Sequence, residues 1–229
     1  MKSKTIKIIC TLGPSSINRK FLNFAKESGV SLLRLNMSHL SIKGLTKSIK
    51  FLKKNSNIPI CIDTEGAQIR TKVKKPKFIK LGEVIKIGDK NKNFCLYPEN
   101  IQKQIKKGDI LNIGFDNLKI IIINNNKQIL CKAISAGKLE NNKGVHLENR
   151  KVKIAFLTEK DLESIKVGKK YKINNFALSF TNSVQDIKKF NKLLKKENKI
   201  FKIETSNACK NFDKMINYAN FFLIDRGDL

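Results

Sequence analysis

The chain has 229 residues, 47 lysines and arginines against 19 acidic residues, a formal charge of +28, and 41% hydrophobic residues. That length makes one large domain or two small ones, and apolar residues spread from end to end exclude a disordered or collagen-like polymer. The longest apolar runs, Ile120-Ile121-Ile122-Ile123 and Phe221-Phe222-Leu223-Ile224, fall far short of the roughly 20 residues a membrane-spanning helix needs, so no membrane partner is expected.

Strand and helix alternate from the start. A buried-type strand over 7–12 is closed by Gly13-Pro14, a helix over 18–28 ends at Gly29, a strand over 31–36 and a helix over 42–54 follow, and 58–63 reads as a third strand. Such units build a parallel α/β sheet, either doubly wound or a (β/α) barrel. From residue 71 to 150 the texture changes to short β-type runs over 83–87, 109–113, 119–123 and 128–134. Turn clusters at Gly88-Asp89, Gly108-Asp109, Asn124-Asn125-Asn126 and Gly137 separate them, which predicts a small all-β insertion. The alternation then resumes with a helix over 159–167, a strand over 175–180, a helix over 184–197, a strand over 199–204, a helix over 211–219 and a strand over 221–225. The expected division is a barrel domain in two parts, 1–71 with strands one to three and 151–229 with strands four to six, around a β-barrel-like lid domain at 72–150.

In a (β/α) architecture the site lies at the C-terminal ends of the parallel strands. Those ends are polar here: Arg34-Leu35-Asn36-Met37-Ser38-His39, Asp63-Thr64-Glu65-Gly66, Lys202-Ile203-Glu204 and Asp225-Arg226-Gly227-Asp228. Side chains alternate along a strand, so Arg34, Asn36 and Ser38 share one side, as do Lys202 and Glu204. Arg34 and Lys202 beside Glu204 and Asp228 make a face that can hold a divalent cation on two carboxylates and leave cations for an anionic substrate. Phosphoryl transfer needs that mixture, since its catalysis is mainly positioning and charge stabilisation. The plainer alternative is that each charge simply caps its strand at the solvent boundary.

The lysine excess invites a nucleic-acid role through counterion release. Only Arg19, Arg34, Arg70, Arg150 and Arg226 are arginine, so the bidentate base-reading side chain is scarce; a solvated lysine surface is favoured and nucleic acid disfavoured. The cysteines at 10, 61, 95, 131 and 209 are scattered and form no C-x-x-C pair, which suggests neither a disulfide framework nor a zinc site. They read as small core hydrophobes. His39 and His146 stand too far apart in sequence to suggest a metal pair. Met1-Lys2-Ser3-Lys4-Thr5 leads into a strand without a signal-peptide h-region, so a cytoplasmic location is expected.

Eight short segments occur in an order that resembles the pyruvate kinase family. They are Thr5-Ile6-Lys7-Ile8-Ile9-Cys10-Thr11-Leu12-Gly13-Pro14-Ser15-Ser16, Arg34-Leu35-Asn36-Met37-Ser38-His39, Asp63-Thr64-Glu65-Gly66-Ala67-Gln68-Ile69-Arg70 and Lys143-Gly144-Val145-His146-Leu147. Leu157-Thr158-Glu159-Lys160-Asp161, Ala177-Leu178-Ser179-Phe180, Lys202-Ile203-Glu204 and Arg226-Gly227-Asp228-Leu229 complete the series. The resemblance implies an incomplete (β/α)8 barrel of the TIM type, interrupted after its third strand by a mobile β-domain that closes over nucleotide. It implies phosphoryl transfer between phosphoenolpyruvate and ADP, giving pyruvate and ATP in glycolysis, with Mg²⁺ (or Mn²⁺) and K⁺ as cofactors. Carried onto this sequence, Arg34 would hold the transferring phosphate and Lys202 would stabilise charge on the moving phosphoryl and enolate oxygen. Asn36, Ser38, Asp63 and Thr64 would form the K⁺ site, and Asn36, Arg70 and Lys143 would serve the nucleotide. Glu204 and Asp228 would ligate the divalent metal, and Gly227 with Asp228 would receive the substrate.

Departures from that pattern are Glu65 in place of a lysine, Ala67 for proline, Gln68 for glutamate, Asn182-Ser183 for an Arg-Lys pair, Asp116-Asn117 in a shorter insertion, and Asp225 for a small residue. A carboxylate at Asp225 would repel an anionic substrate or draw the metal away. An eight-stranded barrel takes about 250 residues, so strands seven and eight, a substrate-binding threonine and a C-terminal domain are expected to be missing. The two sheet edges then need cover, from a homo-oligomer or a complementing chain. Three readings follow: an active phosphotransferase, a degenerate relative that binds nucleotide or metal without efficient turnover, and, least favoured, a lysine-rich nucleic-acid-binding protein.

Overall fold

The computed structural model describes residues 6–88, 93–114, 118–126, 128–148 and 150–225. Asp89, Asp116, Asn117, Arg226, Gly227, Asp228 and Leu229, and the opening segment through Thr5, lie outside the described residues. In chain order the first elements are β1 (Ile8–Thr11), α1 (Arg19–Glu27), β2 (Val30–Asn36), α2 (Ile42–Asn55) and β3 (Ile60–Asp63). The chain then runs through β4 (Ile69–Val73), β5 (Lys77–Ile79), β6 (Val84–Ile87), β7 (Phe94–Tyr97), a 3₁₀ turn Glu99–Gln104, β8 (Ile110–Ile113), β9 (Leu118–Asn124), β10 (Ile129–Ala133), β11 (Gly137–Leu139) and β12 (Gly144–Leu147). The remainder is α3 (Glu159–Lys170), β13 (Asn175–Leu178), α4 (Val184–Leu193), β14 (Asn198–Ile203), α5 (Ser206–Met215), a 3₁₀ turn Ile216–Tyr218 and β15 (Phe222–Ile224).

Two compact units result, dividing at Ala67/Gln68 and Ala155/Phe156. The outer segments form a six-stranded parallel sheet in the order β1-β2-β3-β13-β14-β15, so each strand pairs with the next one of its unit. The inner segment forms a seven-stranded sheet, β6-β10-β9-β8-β12-β4-β7, and a two-stranded β11-β5 ribbon. Each unit has its own apolar core, around Leu33, Leu35, Ile62 and Phe176 in the first and Leu111, Ile113, Ile120 and Ile122 in the second. Strands such as β9, buried at alternate positions, are covered on one face; β3, buried at all four positions, is covered on both.

Short polar residues start every helix of the parallel unit. Asn18, Ser41, Thr158, Ser183 and Thr205 accept backbone N–H bonds from Phe21, Gly44, Asp161, Asp186 and Ala208, satisfying donors that a helix leaves orphaned. Lysines fill the last turns, at Lys26, Lys53, Lys54, Lys169, Lys170, Lys192 and Lys214, where a cation complements the helix dipole. Part of the charge excess therefore has a local structural use. Gly168 lets α3 sit tight on the sheet: a Cβ there would meet Ile62 Cδ1 at 2.7 Å and Phe176 Cζ at 2.8 Å.

The last third corrects three expectations. The helix placed over 211–219 begins at Ser206, because Thr205 caps it, and its final turn tightens to 3₁₀. The helix placed over 184–197 stops at Leu193, whose successor Leu194 is fully buried, because the chain turns there to enter β14. The strand placed over 175–180 ends at Leu178 because Phe180 turns left-handed, at φ +53°. The cysteines also divide: Cys61, Cys95 and Cys131 are buried, Cys10 is half-buried and Cys209 is exposed, since α5 turns Ala208 and Met215 inward instead.

Candidate functional site

Parallel pairing brings four of the polar strand ends together. Asn36 lies opposite Asp63 in the β2/β3 ladder, and β13 joins β3 to β14 so that Lys202 and Glu204 approach Asp63. Arg34 clamps Asp63 Oδ2 with Nη2 at 2.7 Å and Nε at 2.8 Å, and its Nη1 donates to Thr11 Oγ1 at 3.2 Å. Lys202 Nζ stands 2.6 Å from Glu204 Oε1, 3.2 Å from Asp225 Oδ2 and 3.5 Å from Asp63 Oδ2. It also donates to Ser179 Oγ at 3.3 Å, and that hydroxyl donates to Asp63 Oδ1 at 3.2 Å.

Most of this network is dry. Asp63, Lys202 and Glu204 are buried, Arg34 and Asp225 only partly so. Burial pulls the Lys202 ammonium down, yet Asp63 and Glu204 outweigh it and hold the group above the usual lysine range. Burial pushes the Glu204 carboxyl up, against the opposing pull of Lys202 and a hydrogen bond from Phe180 N. Among the described residues, two cationic side chains face three carboxylates here. Removing one of the buried members, Asp63, Lys202 or Glu204, leaves the others to bear the cost of an unpaired buried charge.

Backbone geometry holds the ring of side chains in place. Phe180 N donates to Glu204 Oε2 at 2.6 Å, which its left-handed backbone makes possible. Thr64 N donates to Ala177 O, and Ser179 N to Thr64 Oγ1, each at 3.0 Å. Gly66, at φ +73°, lies so close to Ser179 that a Cβ would stand 2.7 Å from its carbonyl oxygen. The fully buried Asp161 completes the α3 capping box and accepts from Glu65 N at 2.7 Å and Gly66 N at 3.1 Å. It thereby ties the loop after β3 to the helix that precedes β13. Lys160 Nζ pairs with Glu65 Oε2 at 2.7 Å, while Glu65 Oε1 is buried with no hydrogen-bond partner among the described residues.

Of the residues expected from sequence, Arg34, Asp63, Lys202 and Glu204 meet directly. Asn36 and Thr64 sit at the same strand ends, and Ser38 N donates to Asn36 Oδ1 at 2.9 Å. Arg70 and Lys143 belong to the other unit. Arg70 pairs with Gly144 across β4 and β12 and donates to Asn142 O, and Lys143 Nζ stands 3.1 Å from Glu140 Oε2. Gly227 and Asp228 lie outside the described residues. Sequence reasoning gave no role to Thr11, Ser179 or Asp161. The first two also occupy strand ends, so the same positional rule would find them; Asp161 enters the sequence reading only within the helix over 159–167 and the family-like segment Leu157–Asp161.

Metal chemistry is compatible with these donors. Among the described residues no three His, Cys, Asp or Glu side chains are arranged to hold a metal ion. Mg²⁺ keeps several waters and takes as few as one or two protein carboxylates; Glu204 is one such carboxylate, with Oε1 2.6 Å from Lys202 Nζ and Oε2 accepting from Phe180 N. Asn36, Ser38, Asp63 and Thr64 likewise offer only oxygen, suited to a hard monovalent ion.

Comparison with known proteins bears on the same strands. Residues 3–229 match the family model described as pyruvate kinase, barrel domain. Pyruvate kinases of Staphylococcus epidermidis, S. aureus and S. saprophyticus are 30%, 29% and 29% identical to it, each over 97% of this chain. The chain spans about two fifths of those relatives, 41%, 41% and 42% of their lengths. The match runs through both units and through every strand end that carries the ion network, and the chain belongs to the pyruvate kinase family.

Proposed function

We propose that this chain carries a pyruvate kinase phosphoryl-transfer site, moving phosphoryl between phosphoenolpyruvate and ADP to give pyruvate and ATP with Mg²⁺ (or Mn²⁺) and K⁺. The single observation that carries this is the meeting of Arg34, Asp63, Lys202 and Glu204 within one buried network. In the forward direction an ADP oxygen forms the new P–O bond as the bond to the enolate oxygen breaks, and the enolate then takes a proton to become pyruvate. Arg34, held by Asp63 and still partly exposed, would bind phosphoryl oxygens. Lys202 would meet charge as it develops on the departing enolate oxygen, a preorganised contribution. When bound, the divalent cation supplies further positive charge against the phosphoryl oxygens, and Glu204 with Asp228 would hold it. Asn36, Ser38, Asp63 and Thr64 would hold K⁺. Gly227 and Asp228 would bind the substrate acid, while Asn36, Arg70 and Lys143 would serve the nucleotide.

The six parallel strands in chain order support an incomplete (β/α)8 barrel, with domains at 1–71, 72–150 and 151–229. β1 and β15 stand at its two edges, where Ile8, Ile9 and Ile224 are exposed; a homo-oligomer or a complementing chain would cover them. The proposed setting is the cytoplasm. A coupled assay for pyruvate with phosphoenolpyruvate, ADP, Mg²⁺ and K⁺ tests the activity. Turnover that Lys202→Met abolishes is expected, and no turnover even at high protein concentration rejects it. Mg²⁺-dependent nucleotide binding without turnover would assign the chain to the degenerate alternative.

A further inference from the structure

Lys202 is the most enclosed cation of the site, and its ammonium is already surrounded. Glu204 at 2.6 Å shares its strand and Asp63 at 3.5 Å lies two strands away; both carboxylates are buried and have other partners, Phe180 N for one and Arg34 with Ser179 for the other. Asp225 differs. It is the outermost of the three, with 28% of its side chain exposed against 1% and 0% for the others. Its position follows from the β14/β15 register: Leu223 pairs with Lys202 and Ile224 with Ile203, Asp225 N donates to Ile203 O at 3.2 Å, and its carboxylate comes to 3.2 Å from Lys202 Nζ. A carboxylate so placed offers an ammonium what a phosphate oxygen offers, charge and an acceptor at hydrogen-bonding distance. Its own negative charge, 3.2 Å from the ammonium, also opposes an incoming anion at that point.

We propose that Asp225 is an internal competitor for Lys202, a specificity-determining acid that takes the contact a phosphoryl group would make and so sets the pocket's affinity for phosphorylated acids. Lys202 keeps Glu204 and Asp63 when Asp225 is neutralised, so the ammonium stays paired. Anion binding must displace Asp225 or bear its repulsion. Like charges brought together cost enough to change affinity by an order of magnitude. The inference rests on the function proposed above in that the pocket is taken to receive a phosphorylated acid.

Calorimetric titration of the full chain with sodium phosphate, free of divalent cations, tests it. Asp225→Ala and the isosteric Asp225→Asn should bind phosphate about tenfold more tightly than the unaltered chain. Adding Lys202→Met to either variant should erase the gain, which separates this contact from phosphate held elsewhere on a lysine-rich surface. Equal affinity in all forms, no measurable phosphate binding in any form, or a gain that survives Lys202→Met overturns the proposal. Circular dichroism on each variant confirms that folded protein is compared. Turnover of phosphoenolpyruvate is measured separately. A phosphate gain without turnover in any form sinks the proposed function and leaves the role of Asp225 standing; turnover with unchanged phosphate affinity does the reverse.

Discussion

Lys202 and Glu204, two residues apart on one parallel strand, form a buried ion pair 2.6 Å long whose carboxylate is pinned from behind by Phe180 N. The pair is costly to desolvate and costlier to break. Lys202→Met leaves Asp63 and Glu204 buried without their shared cation and should lower unfolding stability by about 3 kcal/mol. Urea denaturation measures this; an unchanged midpoint at unchanged slope would show that the network is already wet.

Gly66→Ala tests the contact between the loops after β3 and β13. The left-handed backbone disfavours a side chain, and the added Cβ would stand 2.7 Å from Ser179 O. The atoms it would meet are the Ser179 backbone and Cβ, not the far end of a flexible side chain, so a loss of about 2 kcal/mol or more is expected in thermal unfolding. A stability equal to the parent would mean that the two loops separate freely.

Asp161→Ala removes the acceptor shared by Thr158 N, Glu65 N and Gly66 N. Buried donors left unsatisfied cost about 1–3 kcal/mol each before relaxation, so the loss should approach the stability of a small domain. Asp161→Asn keeps an acceptor oxygen and should recover part of it. Amide exchange at Glu65 and Gly66 should accelerate in both variants, and more in the alanine form.

Two carboxyls should titrate in opposite directions. Burial pushes Asp161 up, against the hydrogen bonds from Thr158, Glu65 and Gly66. Its contribution to stability is therefore fully present below the unfolded aspartate value of about 3.9 and is lost as pH rises through the folded value. Glu83 is held down by a side-chain hydrogen bond from Lys77 and a backbone one from Lys80. Its contribution is present above the unfolded glutamate value of about 4.3 and is lost as pH falls through the folded value. NMR titration should find Asp161 above and Glu83 below those references. Lys77→Met should move only Glu83 upward; if Glu83 stays in place, the ion pair does not set its titration.

Thiol labelling reports the cores. Burial pushes the Cys131 thiol up to about 12 and also raises Cys61, to which Asp63 adds, so neither offers thiolate to an alkylating agent near neutral pH. Cys209 is exposed. Brief iodoacetamide treatment at pH 8 should modify Cys209 in the folded protein and reach Cys61 and Cys131 only after unfolding. Equal labelling of all three, read by mass spectrometry, would contradict the packing of both units.

Local chemistry was legible in the residues alone. The βα alternation and the break in texture after Arg70 each follow from side-chain period or turn chemistry, which act over a few residues. Even there the short range had limits. Thr205 as a cap and Phe180 as a left-handed turn went unread: the cap bonds Ala208, three residues on, and lay within local reach, whereas Phe180 N bonds Glu204, 24 residues away.

Which charges meet could not be derived from spacing, because that depends on strand order and register across the 168 positions that separate Lys202 from Arg34. Polar strand ends and the family pattern marked Arg34, Asp63, Lys202 and Glu204 as candidates. Folding alone established that one buried ammonium faces three carboxylates, that Ser179 links it to Asp63, and that Asp161 braces the loop after β3. Periodicity and caps are properties of neighbouring residues and can be read along the chain; an ion network is a property of distances through space, and those exist only once parallel pairing and core packing have set them.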